Sequence, residues 1–266
     1  MGQFFDTIPE FLFPWIKQQK IFWIATAPLS EDGNVNVSPK GYDRTFHIVN
    51  EKQVWYEDLT GSGVETISHL KENGRITVMF SAFEGPPRIC RLFGKGTVYE
   101  FGTPEYEALL PVEKRLPGSR SVIVVDVHKV GTSCGFSTPF FTFKSHRMKL
   151  HNFSIKVEQS DIDAEASCLP SELDGQPRSN NGLKAFWKSQ NVKSIDGLTG
   201  IEQAYASPVH FHKYSGEGNG IDDEHIAMKD QKTTVTWRLW NNQLVLGFIL
   251  GVVINMVYGQ FRKIYF

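Results

Sequence analysis

The chain has 266 residues, 41% hydrophobic and 21% charged, with a formal net charge of -1. That length buries a core without staples and carries one large domain with an appendage, and the composition excludes a disordered chain. With no basic stripe there is no electrostatic footprint for nucleic acid, so a small molecule is the expected ligand.

The first element expected is a helix from Thr7, where Thr7 and Glu10 have capping-box spacing and Pro9 sits in the first turn. Phe11, Leu12, Trp15 and Ile16 fall on one face of it, and Pro14 is expected to kink or end it. Six strands follow. Residues 21–26 form an apolar, β-favouring run, and Asp32-Gly33-Asn34 supplies the positive φ of a turn. Val35 and Val37 alternate with Asn36 and Ser38 as the second strand. Residues 54–56, 76–80, 89–99 and 122–125 supply the remaining four, with Gly94 and Gly96 as bulge or close-approach positions.

Two helices interrupt the strands. One runs from Gly63 to Glu72, with Ser62 and Glu65 at capping-box spacing and Val64, Ile67 and Leu70 on one face. Another begins at Thr103-Pro104-Glu105, with Thr103 as N-cap. Strands joined by turns and short helices imply a mainly β fold, an antiparallel barrel. Beyond it, 170–181 and 206–232 read as loops, with a short helix at 183–189 between them.

The expected organisation is a barrel domain over 1–200, a polar linker over 201–236 and a hydrophobic C-terminal helix over 237–266. The apolar run 244–258 is 15 residues long, short of a ~30 Å hydrocarbon core, while Trp237 to Phe261 is long enough but contains Asn241, Asn242 and Gln243. Two readings stand for it: a helix packed on the domain, or a membrane anchor. Cys90, Cys134 and Cys168 are spaced too widely for a zinc knuckle or redox pair, and Met1–Asp6 lacks the basic region and apolar core that a secretory leader is expected to show. The expected compartment is the cytoplasm. His146, His151, His210 and His212 are scattered over polar segments and no metal is expected.

The most informative segment is 34–63. A strand ending in Ser38-Pro39-Lys40-Gly41 precedes another, Val54-Trp55-Tyr56-Glu57, which runs into Asp58-Leu59-Thr60-Gly61-Ser62-Gly63 and a helix. Free amides at a helix start favour a phosphate, glycines admit close approach, Thr60 and Ser62 add hydroxyls, and Lys40 adds a charge. The same turn is also what an ordinary strand–turn–helix with a Ser62 cap would show. Of Trp23, Trp55 and Tyr56, Trp55 and Tyr56 point to opposite faces, so at most one of those two lines a site.

Residues 22–27, 38–41, 54–63, 72–80 and 88–96 together resemble, in order and spacing, the pyridoxamine 5′-phosphate oxidase-like, FMN-binding split-barrel family. Residues 132–136 and 194–198 resemble an uncharacterised branch of it. The resemblance covers roughly residues 4–200 and implies a six-stranded antiparallel split barrel, a homodimer, and FMN in the groove between subunits. It maps the cofactor-binding residues onto Ser38, Lys40, Gly41, Thr60, Gly61, Ser62, Gly63 and Arg91. It implies a flavin-dependent oxidoreductase of a small molecule, with no side chain assigned as catalytic. The alternatives are a flavin- or haem-binding sensor without turnover, or a membrane-tethered scaffold that has lost its ligand.

Overall fold

The computed structural model describes residues 2–167 and 176–214. The expected 237–266 helix therefore lies outside the described residues. Among the described residues no helix is long and apolar enough to cross a membrane.

The fold is mainly antiparallel β, as expected, with eight strands in one sheet rather than six. In chain order these are β1 (Gln3–Phe5), β2 (Phe22–Thr26), β3 (Asn36–Lys40), β4 (Phe46–Asn50), β5 (Gln53–Leu59), β6 (Arg75–Ser81), β7 (Ile89–Glu100) and β8 (Ser119–Ser133). The order across the sheet is β3-β2-β6-β7-β8-β5-β4, with β1 pairing β8. The two extra strands, β1 and β4, are short edge segments with only half-buried or exposed side chains, which is why their pattern was weak.

The sheet curls until its ends meet. Phe22 of β2 lies 5.1 Å from Phe46 of β4 and 5.6 Å from Tyr56 of β5, ring centre to ring centre, although these strands are far apart in the sheet order. Side chains close the barrel where no ladder does. Alternation sends Phe22, Ile24, Val54, Tyr56, Val78, Phe80, Leu92 and Ile123 inward to one core cluster. Burying a large aromatic such as Phe80 is worth about 3–5 kcal/mol against alanine. The glycine expectations hold: the β7–β8 register shifts between Phe93 and Gly94, and a Cβ on Gly94 would sit 2.6 Å from the Asp126 carbonyl oxygen. A Cβ on Gly96 would sit 2.8 Å from Leu70.

Five α-helices are described: α1 (Leu12–Gln18), α2 (Glu65–Asn73), α3 (Pro104–Leu109), α4 (Lys149–Ala166) and α5 (Leu183–Gln190). Helix α3 starts as read, with the Thr103 hydroxyl accepting from the Tyr106 amide at 3.3 Å. Two helix starts differ. Helix α1 begins at Leu12 without a side-chain cap and runs through Pro14, which falls in its first turn, where a missing N–H costs nothing. Helix α2 begins at Glu65 with Val64 as an uncapped N-cap residue, so Ser62 does not cap it. Helix α4 gave no strong signal, because what it buries is His151, Ser154, Glu158 and Asp161 rather than an apolar stripe.

A second core cluster packs outside the barrel. It joins Val64 and Ile67 of α2 to Tyr106 of α3, and Leu183 and Trp187 of α5 to Phe101 and Val122. Residues 201–214, expected as linker, contribute Ile201, Ala204 and Phe211 to it. The buried Lys184 ammonium ties this segment down, donating to the Ser207 and Val209 carbonyls at 2.9 and 3.0 Å.

Candidate functional site

Strand β3 and the turn after β5 meet where the sheet's edges approach. Register pairs Asn36 with Thr26, Ser38 with Ile24 and Lys40 with Phe22, so these three β3 side chains share the inward face. Asn36 donates to Thr66 of α2 at 2.9 Å, and the Ser38 hydroxyl donates to Asn36 at 3.0 Å. The row continues to Thr26 and His69, 3.0 Å apart. His69 is buried and its Nε2 has no partner; burial lowers its pKa, outweighing nearby Asp196, Glu72 and Glu65.

At the end of the row the Lys40 ammonium donates to the Asp58 carboxylate at 2.8 Å. Asp58 is fully buried and also receives Arg120 Nε at 2.8 Å. Burial alone would raise its pKa, but the Arg120 and Lys40 charges overcome that and hold it down at about 2. Arg120 Nη1 donates to the Gly63 carbonyl at 2.9 Å and the Asn191 side chain at 3.0 Å, and reaches the Gly61 carbonyl at 3.4 Å. One of the three Lys40 donors is used, and among the described residues the other two are left.

The Thr60–Gly63 turn divides in two. Thr60 is buried and spent: its amide and hydroxyl both donate to the Gly118 carbonyl at 2.7 Å, and its oxygen accepts from Trp187 Nε1 at 2.8 Å. Its hydroxyl is therefore a joint between β5, the β8 entry and α5 rather than a free donor. Among the described residues the amides of Gly61, Ser62 and Gly63 donate to nothing in the chain. Gly61 has open space where a Cβ would be, and Ser62 is exposed. The Gly61 carbonyl is pulled back by Asn191 Nδ2 at 3.0 Å, which fixes the turn from behind. Glu65 stands against this corner, with Oε2 2.2 Å from where a Gly63 Cβ would sit. Lys40 and Arg120 set against Asp58 and Glu65 leave no net charge, so an anion here is held by amide dipoles more than by surplus charge.

Gly41 begins the loop to β4, in which Tyr42 and Arg44 both take left-handed φ, 70° and 72°. Such strain persists only where surroundings fix it. Tyr42 donates to the Arg147 carbonyl at 2.6 Å and Thr45 to the Gly41 carbonyl at 3.0 Å. Ser38, Lys40, Gly41 and the 61–63 turn are thus brought together. Arg91 is not: it pairs with Met79, which pairs with Trp23, placing it on the outer face, opposite Lys40. Its guanidinium donates to Ser133 at 3.3 Å. Tyr56 is in the barrel core, Trp55 stacks on His47 at 3.7 Å, and Trp23 packs on Phe83.

The profile of the family described as pyridoxamine 5′-phosphate oxidase matches residues 8–134. The pyridoxamine 5′-phosphate oxidase family protein ustO of Aspergillus flavus is 33% identical over 245 residues, 88% of this chain and 91% of that protein. This chain belongs to the pyridoxamine 5′-phosphate oxidase family. Among solved structures similar to this family member, HupZ of Group A Streptococcus is 23% identical, covers 46% of this chain and 91% of its own, and has a TM-score of 0.38. A Clostridium acetobutylicum protein related to general stress protein 26 is 15% identical, covers 46% and 84%, and scores 0.33.

Three residues of the family member's corner escaped the sequence reading: Arg120, Trp187 and Asn191. Each reaches the turn from a distant segment, and a single arginine in Ser119-Arg120-Ser121 carries no local signal.

Proposed function

We propose that this protein binds FMN at the corner formed by Lys40, Gly41 and the Gly61–Gly63 turn, and acts as a flavin-dependent oxidoreductase on a small molecule. The observation that carries the reading is the run of three amides, Gly61 to Gly63, without a partner in the chain beside a lysine with donors to spare. The residues fit a phosphate: three amides without a partner in the chain lie in one turn with open space at Gly61, and Asp58, at the start of that turn, holds the Lys40 ammonium beside it. Lys40, Ser62 and the glycine amides would hold the phosphate, with Ser38 along the β3 row beside it. Bound FMN would supply hydride acceptance and donation. The chain's own part is to fix the turn through Arg120 and Asn191, and to keep the β3 row in a half-buried groove.

The outer face supports a homodimer. Val35 and Val37 are 71% and 60% exposed beside Ala25, Thr77 and Phe93, a face suited to a second copy, and Arg91 lies on that side. The purified protein is expected to show flavin absorption bands and to release FMN on denaturation, and light scattering should report twice the chain mass. A colourless protein that leaves added FMN unbound would overturn the reading.

A further inference from the structure

A second cavity opens away from the barrel interior, between the C-terminal end of α1, the β6–β7 turn and residues 141–144. Its volume is about 600 Å³, within the range of small-molecule sites. Trp15, Phe83, Phe141 and Phe143 line it together with Lys20 and Lys144. The walls are held in place. The Phe141 amide donates to the Phe83 carbonyl at 3.1 Å, the Phe143 amide reaches Glu84 at 3.4 Å, and the Phe83 and Phe141 rings meet edge to face at 5.2 Å. Lys20 is positioned by Asp43 at 2.8 Å and lies 5.4 Å from the Phe143 ring centre. Lys144 is exposed and, among the described residues, forms no ion pair.

We propose that this cleft binds a planar aromatic molecule carrying an acidic group. Four aromatic side chains offer faces and edges to a flat ring system. Lys20 is already paired with Asp43 and Glu84 accepts the Phe143 amide, so the charge left for a ligand is the Lys144 ammonium at the rim, which favours an anionic substituent on the ring. The assignment does not rest on flavin binding, because the Lys40 corner contributes nothing to the lining.

The test is calorimetric titration of the full chain with 2-naphthoate and with its neutral counterpart, 2-naphthalenemethanol. Naphthoate binds at least about tenfold more tightly than the alcohol, and Lys144→Met removes most of that preference while leaving the alcohol unchanged. Thr142→Trp, which fills the cleft from its exposed rim, abolishes both while keeping the wild-type melting temperature. Lys40→Met binds naphthoate as wild type does, which separates this site from the flavin corner. Equal affinity for acid and alcohol, unchanged binding in Thr142→Trp, loss in Lys40→Met, or no heat at millimolar ligand overturns the assignment.

Discussion

Glu158 gives the sharpest prediction about the fold beneath the site. It projects from α4 into a buried pocket and accepts the Gly118 amide at 2.5 Å, with its second oxygen unpartnered. Gly118, in left-handed φ at 88°, is the residue whose carbonyl takes both the Thr60 amide and hydroxyl. Burial, with Asp161 and Glu57 nearby, pushes the Glu158 carboxyl from 4.5 up to about 8, against the pull of the Gly118 amide and Arg115. The folded state thus holds its proton more tightly than the unfolded chain does. Its stability is fully present below pH 4.5, falls as pH rises, and is lost once pH passes about 8. At ~1.4 kcal/mol per pH unit the whole interval corresponds to ~5 kcal/mol, and water drawn toward the ionised group relieves part, leaving ~2 kcal/mol or more. Burial acts the same way on Glu57, raised to about 7 despite the Leu116 amide. Glu158→Gln keeps the acceptor for Gly118 and removes the titration. Thermal melts from pH 5 to 9 should show wild type falling and Glu158→Gln staying flatter, the variant melting roughly 4–8 °C higher relative to wild type at pH 9 than at pH 5. Parallel curves for the two proteins would refute the assignment of this pH dependence to Glu158.

Lys40→Met should lower FMN affinity by about tenfold or more, read by flavin fluorescence on dialysis, because it removes the ammonium while Arg120 still holds Asp58. With no net charge at the corner, raising salt from 0.05 to 0.5 M should change that affinity less than the lysine substitution does, which a titration at both ionic strengths checks. Cys90, fully buried and with its thiol pushed by burial up to about 12, should resist a thiol reagent in a Cys134→Ser, Cys168→Ser variant until the protein is denatured. Gly94→Ala should cost about 1–3 kcal/mol in urea denaturation, because its Cβ meets the Asp126 backbone where β8 cannot yield.

Much of the barrel was legible in the residues because β2, β6 and β7 are runs of apolar, β-favouring residues whose alternate members face one core. The α3 cap and the bulge at Gly94 were legible for similar reasons, each being a local backbone requirement met by one residue type. Half of the candidate corner was legible in the same way: a lysine ending one strand and a glycine-rich turn after another. What the sequence could not hold was the use made of each donor. Thr60 and Ser62 look alike as hydroxyls in one turn, yet Trp187 and Gly118 consume Thr60 while Ser62 stays open. Arg91 and Lys40 read as two cations of one site, but the parity of the ladder sends them to opposite faces. The amino-acid order by itself determined six of the eight strands, the glycines that let them cross, and the kind of chemistry at the turn, because these depend on neighbours along the chain. Only the tertiary structure decided which groups remain free to meet a ligand, because burial and pairing are set by residues 58 to 130 positions away.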